Sequence, residues 1–163
     1  MVPVMTYDAP LHLHAETVRP DWIDYNGHMN VAYYVLAFDH AVDRLFDILG
    51  VGIDYVKAAG CSLFVLENHV TYLRELVAGD PMRFTLHLLD HDHKRLHAFI
   101  DMYHAEAGHA AATYEFLAVH VDLGERRSTP MPAAALARLA AMLESHRTLP
   151  RPAAVGSVIG IRR

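Results

Sequence analysis

The chain holds one cysteine, Cys61, among its 163 residues. It therefore has no partner for an intrachain disulfide, and no zinc site can be built from several thiolates. No run of about 18 apolar residues occurs, so no segment reads as crossing a membrane. The first ten residues, Met1 to Pro10, lack both a positive stretch and an apolar one, and no secretory signal is expected there. Basic residues are in the minority, 14 against 19 acidic, for a formal net charge of −5. Without a broad positive field, general nucleic-acid binding is excluded, although a small basic cluster can still hold a small anion. No internal repeat is visible. What is plentiful is apolar: 53% of the residues are hydrophobic, which argues against disorder and can supply one core. The expectation is a single soluble, cytoplasmic domain over residues 1–148, followed by a tail over 149–163.

Histidine is the other excess, with 13 residues. His12/His14 and His91/His93 are spaced so that a strand would place each pair on one face. Zinc would need further ligands in a fixed geometry, and no His-Glu-x-x-His pattern supplies them. No metal is expected, and the histidines read as ordinary surface and half-buried residues.

Leu11 to Val18 alternates. Leu11, Leu13, Ala15 and Thr17 oppose His12, His14, Glu16 and Val18, which predicts a half-buried strand. From Met29 to Leu49, Val31, Tyr34, Val35, Phe38, Val42, Leu45, Phe46 and Leu49 recur at intervals of three and four. Asp39, Asp43, Arg44 and Asp47 fall largely opposite. That is an amphipathic helix of about five turns, stopped by Gly50 and Gly52. Ile53 to Ala59 reads as a short helix or turn. Ser62 to Val77 is apolar and strand-like. Met82 to Asp90 and Arg95 to Ala105 alternate around a turn at His91–Lys94, which lacks the favoured Asn-Gly. Ala110 to Val121 is the last long strand, and Ala133 to His146 is a helix by propensity. Pro150, Pro152, Gly156 and Gly160 mark a loosely held tail. The order predicts an α+β fold, with one long helix lying across a curved antiparallel sheet and an extra helix at the end. Open sheet edges invite a second copy of the chain, with a cleft at the start of the long helix.

That start is the most informative stretch: Asp21-Trp22-Ile23-Asp24-Tyr25-Asn26-Gly27-His28-Met29-Asn30. A helix N-terminus offers unpaired N–H groups and the positive end of a dipole. A carboxylate beside such donors can attack a carbonyl, or activate water to do so, while a donor holds the oxyanion. The competing explanation is local. Asp, Asn and Gly also cap helices and make turns with no chemistry attached.

On these residues the chain resembles the hotdog-fold acyl-CoA thioesterases, in the group similar to 4-hydroxybenzoyl-CoA thioesterase. Asp24-Tyr25-Asn26-Gly27-His28-Met29-Asn30, Tyr33-Tyr34, Glu67 and Ala78-Gly79-Asp80 carry the resemblance, which runs from about Leu11 to Val121. The runs Lys94–Phe99, Tyr103–Ala105 and His120–Leu123, with Arg126, Arg127 and Pro130, look like a narrower group. That group is the thioesterases of carnitine and betaine catabolism, including domains fused to carnitine dehydrogenases. The resemblance implies Asp24 as nucleophile or general base and the backbone N–H at Val31 as oxyanion donor. It implies His28 and Asn30 as polar shapers of the loop, and Glu67, facing the cleft from the partner subunit, as the runner-up catalyst. The acyl group would run along the central helix past Tyr33, Tyr34 and Phe64. A betainyl group carries a quaternary ammonium, which suits aromatic faces. Trp22, Tyr25 and Tyr33 are the candidates, with Tyr55 also available and Tyr72 reading better as core. Lys94 and Arg95 would meet the CoA phosphates, with Arg74, Arg83, Arg126 and Arg127 in reserve. CoA belongs to the substrate, so no cofactor is implied. A homodimer or homotetramer is.

Other readings remain open on the sequence. Asp24 and His28 could serve an enoyl-CoA hydratase-like enzyme on the same fold. A non-catalytic acyl-CoA-binding module, or a histidine-based metal protein, would also fit parts of the pattern. Fold alone does not decide among them.

Overall fold

The computed structural model describes residues 5–163. Residues 1–4, part of the stretch read above as lacking a secretory signal, lie outside the described residues. The elements are β1 (Leu11–Thr17), a 3-10 turn (Pro20–Trp22), α1 (Val31–Leu49), α2 (Ile53–Ala59), β2 (Cys61–Tyr72), β3 (Pro81–His91), β4 (Arg95–His104), β5 (Ala110–Asp122), β6 (Arg127–Ser128) and α3 (Ala133–His146). The strands make one antiparallel sheet in the order β1-β3-β4-β5-β2, with β6 paired to β5. With α1 packed across its inner face, this is the α+β hotdog arrangement. Among the described residues no helix is long and apolar enough to cross a membrane.

Phe38 is the hub of the core. Its ring stacks on Tyr114 at 4.9 Å and meets Phe84 edge-on at 5.8 Å. Burying such a ring stabilises the fold by about 3 kcal/mol, and truncation to alanine would cost about 3–5 kcal/mol. The buried stripe of α1 is Tyr34, Ala37, Phe38, Ala41, Val42, Leu45 and Leu49. Val31 and Val35, expected in that stripe, are exposed, whereas Ala37 and Ala41 are fully buried. Asn30 caps the start of α1 through a bond from the Ala32 N–H at 3.0 Å. Gly50 ends α1 at φ 75°, and the Arg138 guanidinium lies against it while donating to Leu49 O at 2.8 Å.

Two bulges alter the alternation read from sequence. In β1, His12 pairs with Thr85 and His14 with Phe84, so Leu13 is the extra residue. Beyond it His14 and Glu16, opposite the inward Phe84 and Met82, face the helix, and Ala15 and Thr17 face out. In β2, Val65 pairs with Ala118 and Glu67 with Leu117, so Leu66 is extra. β2 itself stops at Tyr72, short of the expected Val77. Leu73 and Arg74 both donate to Ala111 O, and buried Leu76 turns into the core instead of extending the strand.

The turn at His91–Lys94 works without Asn-Gly because Asp92 Oδ1 accepts the Lys94 and Arg95 N–H groups at 2.9 and 2.7 Å. These bonds and the Arg95 guanidinium hold the Asp92 carboxyl well below the usual carboxylate range. The tail is better held than expected. Tight turns over Pro152–Ser157 lie on the outer face, where the Gly156 N–H donates to Glu115 Oε2 at 2.8 Å. Val158, Ile159 and Ile161 beyond it are exposed.

Candidate active site

The loop before α1 is a closed unit. Ile23 and Met29 bridge one another, the Asp24 N–H donates to His28 O at 3.1 Å, and the Gly27 N–H donates to Asp24 O at 3.0 Å. Gly27 sits at φ 79°, a conformation that disfavours any residue with a Cβ. The loop is fastened at its base. The Asn30 N–H reaches Trp22 O at 2.9 Å, and the Met29 N–H reaches Leu76 O at 2.8 Å. The buried Tyr34 hydroxyl in turn accepts the Leu76 N–H at 3.1 Å. Burial, the largest influence on this phenol, raises its pKa above the ordinary 10 and keeps it neutral.

This framework aims Asp24. One carboxylate oxygen accepts the Asn26 N–H at 2.8 Å, and the other accepts Asn30 Nδ2 at 3.1 Å. Asn30 therefore holds the carboxylate with one end and the helix N-terminus with the other. Of the first three N–H groups of α1, Ala32 donates to Asn30 Oδ1 and Tyr33 to Asn30 O. Among the described residues the Val31 N–H has no acceptor. A free donor at the positive helix end thus stands one residue from the side chain that holds Asp24. Such a pair can receive a carbonyl oxygen and deliver a base or nucleophile to its carbon.

The other expected site residues divide. His28 is in the loop, with Nδ1 3.0 Å from Met29 O, so it shapes the turn. Tyr25 is 96% exposed at the loop tip. Tyr33 is half-buried, its ring stacked on Trp22 at 5.5 Å. Trp22 itself is only 2% exposed and also carries the Arg19 guanidinium at 5.2 Å, so its ring is a core element and not a free face for a ligand. Tyr72, expected as core, is 46% exposed with its hydroxyl 3.4 Å from Val31 O. The sequence offered it among the aromatic candidates and favoured the core reading; its exposure follows from its place at the end of β2.

Glu67 does not join Asp24 within this chain. The bulge at Leu66 turns it to the outer face, where it lines a groove with His97, Glu115 and Gly156. Lys94 and Arg95 are also elsewhere. They sit at the β3–β4 turn, whereas the site lies beside the opposite ends of these strands, about 30 Å away by strand rise. Lys94 donates to Ser128 Oγ at 3.1 Å, and Arg95 pairs with Asp92 at 2.6 Å. Both are held in local contacts at that far turn.

A family model described as the thioesterase-like superfamily matches residues 18–139. The chain belongs to this family. It is 41% identical over 156 residues to a betainyl-CoA thioesterase of Pseudomonas aeruginosa, covering 96% of this chain and 94% of that protein. It is 37% identical over 163 residues to an L-carnitine dehydrogenase/betainyl-CoA thioesterase of Rhizobium meliloti, spanning 99% of this chain and 33% of that longer protein. A Staphylococcus aureus protein solved in complex with CoA superposes with a TM-score of 0.87 at 31% identity, over 97% of this chain and 100% of that one. A 1,4-dihydroxy-2-naphthoyl-CoA thioesterase of Synechocystis shares the fold, with a TM-score of 0.70 at 15% identity over 78% and 93% of the two chains. The chain is accordingly an enzyme, a CoA thioester hydrolase of the 4-hydroxybenzoyl-CoA thioesterase-like group.

Proposed function

We propose that this thioesterase hydrolyses betainyl-CoA to betaine and CoA, with Asp24 as the catalytic carboxylate and the Val31 N–H as oxyanion donor. The observation that carries the mechanism is the Asn30 bridge, which fixes the carboxylate beside an unused helix N–H. The thioester oxygen accepts the Val31 N–H, and the helix dipole favours the charge that develops there. Asp24 attacks the carbonyl carbon itself or takes a proton from the water that does. When water attacks, collapse of the tetrahedral intermediate breaks the C–S bond and the CoA sulfur leaves with the proton Asp24 took. When Asp24 attacks, CoA leaves as the thiolate, and water then hydrolyses the acyl–Asp24 anhydride, releasing betaine, restoring the carboxylate and supplying the proton for the thiol. No cofactor enters, because CoA arrives with the substrate.

The substrate assignment rests on the Pseudomonas relative, which matches nearly end to end. A trimethylammonium group can neither donate nor accept a hydrogen bond, and aromatic faces suit it. Tyr72, with its hydroxyl 3.4 Å from Val31 O, and Tyr25 at the loop tip are exposed rings available for this. The working form is a homodimer or homotetramer in the cytoplasm. Val35 and Leu36 on α1, with Leu66 on the edge strand β2, expose apolar surface that a second copy would cover. Free-thiol release from a panel of betainyl, butyryl, benzoyl and palmitoyl CoA esters tests the assignment. The highest kcat/KM is expected for betainyl-CoA, and a preference for any neutral acyl group by tenfold or more would refute it.

A further inference from the structure

The β1 bulge brings together three potential ligands that the sequence keeps apart. His14 and Glu16 turn inward on β1 and meet His40 from the middle of α1. Glu16 Oε1 lies 3.1 Å from His40 Nδ1 and 3.3 Å from His14 Nε2. Bonds of about 2.0–2.2 Å at tetrahedral angles put neighbouring ligand atoms about 3.3 Å apart, so two of the three separations already fit one metal ion. The three ligand atoms all lie within 4.8 Å of one another, which leaves the two imidazoles at most about 1.5 Å to close. A separate observation points the same way. His14 Nε2 is buried and, among the described residues, has no aligned hydrogen-bond partner. With Glu16 Oε1 beside it but out of line for a hydrogen bond, this buried atom is poorly satisfied, and a metal bond would relieve it. The walls suit a bound cation. The His14 ring packs 5.5 Å from Phe84, and the three side chains are between 14% and 33% exposed.

We infer that His14, Glu16 and His40 form a binding site for a divalent first-row transition metal, zinc in the first instance. Two imidazoles and one carboxylate select such ions over magnesium or calcium. The ion would tie the edge strand β1 to the central helix. It is separate from Asp24 and takes no part in thioester hydrolysis. This departs from the pairing suggested by the sequence, in which His14 goes with His12. His12 lies across the bulge and is exposed.

The test uses the full chain, stripped with chelator and titrated with Zn2+ against a chromophoric competitor. One tight site per chain is expected. His14→Ala and His40→Ala should each weaken it at least about a hundredfold, since even outer-shell changes cost 10–100-fold. Glu16→Gln should weaken it as well, while His12→Ala and His91→Ala leave it intact. Zn2+ should raise the Tm of the wild type and not that of His40→Ala. Should the variants fold poorly, X-ray absorption of the wild-type zinc complex decides: two imidazoles and a carboxylate are expected in the first shell. No binding by the wild type at micromolar Zn2+, binding that survives both His14→Ala and His40→Ala, or an absorption spectrum with other ligands would each overturn the site.

Discussion

Asn30 performs two separable tasks, and substitutions can divide them. Its Oδ1 caps α1 at Ala32, and its Nδ2 orients the Asp24 carboxylate. Asn30→Ala removes both. Loss of the cap should cost about 1 kcal/mol, or about 2–4 °C in Tm for a domain of this size. Loss of the Nδ2 bond leaves Asp24 held only by the Asn26 N–H. A carboxylate free to drift by about 1 Å loses up to about a hundredfold in rate. We expect kcat to fall roughly 10- to 100-fold with KM nearly constant. Asn30→Ser keeps a capping oxygen and should recover the Tm without recovering kcat. Asn30→Asp also keeps the cap but sets a second carboxylate beside Asp24. That second carboxylate offers Asp24 no donor and repels it, so kcat should not recover. The assay is thiol release with pH-rate profiles, alongside thermal melts. Wild-type kcat in Asn30→Ser, or activity in Asn30→Ala that tracks only the folded fraction, would refute the positioning role.

Tyr72→Leu keeps an apolar surface but removes the aromatic face. It should raise KM for betainyl-CoA several-fold while changing KM for butyryl-CoA less than twofold, measured by thiol release. His146 is 1% exposed, with its Nδ1 accepting the Leu88 N–H at 2.9 Å and its Nε2 bonded to Asp8 O at 2.9 Å. Burial, the main cause, lowers its pKa below the ordinary 6.5, and that of His87 likewise. The unfolded chain thus binds protons that the native state refuses. Their contribution to stability is complete above pH 6.5 and is lost as the pH falls from there through the lower folded values. Denaturant melts should show declining stability between pH 7 and 5. His146→Ala should flatten that decline and cost at least about 1–3 kcal/mol at pH 7, because Leu88 loses its acceptor; an unchanged pH dependence would contradict this.

The helices were legible because their periodicity and end signals agree. Ala133–His146 and Ile53–Ala59 appear at the expected bounds, and α1 starts two residues later than its apolar pattern. The loop carrying Asp24 was legible as a motif, but its wiring through Asn30 was not, since one side chain bonding two ways leaves no trace in spacing. The sheet was legible in order and faces only up to its bulges. One extra residue inverts every side chain beyond it without changing composition. That is why Glu67 points away from α1, and why Glu16 and His14 point towards it. Trp22 was read as a ligand face because its stacking partner Tyr33 lies beyond the loop. The phosphate contacts expected of Lys94 and Arg95 followed from a local turn, whose distance from the site depends on the lengths of whole strands.

The measurement that bears most directly on the central claim is thiol release by Asp24→Asn beside the wild type on betainyl-CoA, with folding checked by thermal melt. The amide keeps the size and the acceptor for the Asn26 N–H but loses the charge. The account predicts a normal melt and a kcat lower by about a hundredfold or more, about 3 kcal/mol of barrier. A folded variant that retains wild-type kcat would contradict it and move the chemistry away from the helix start.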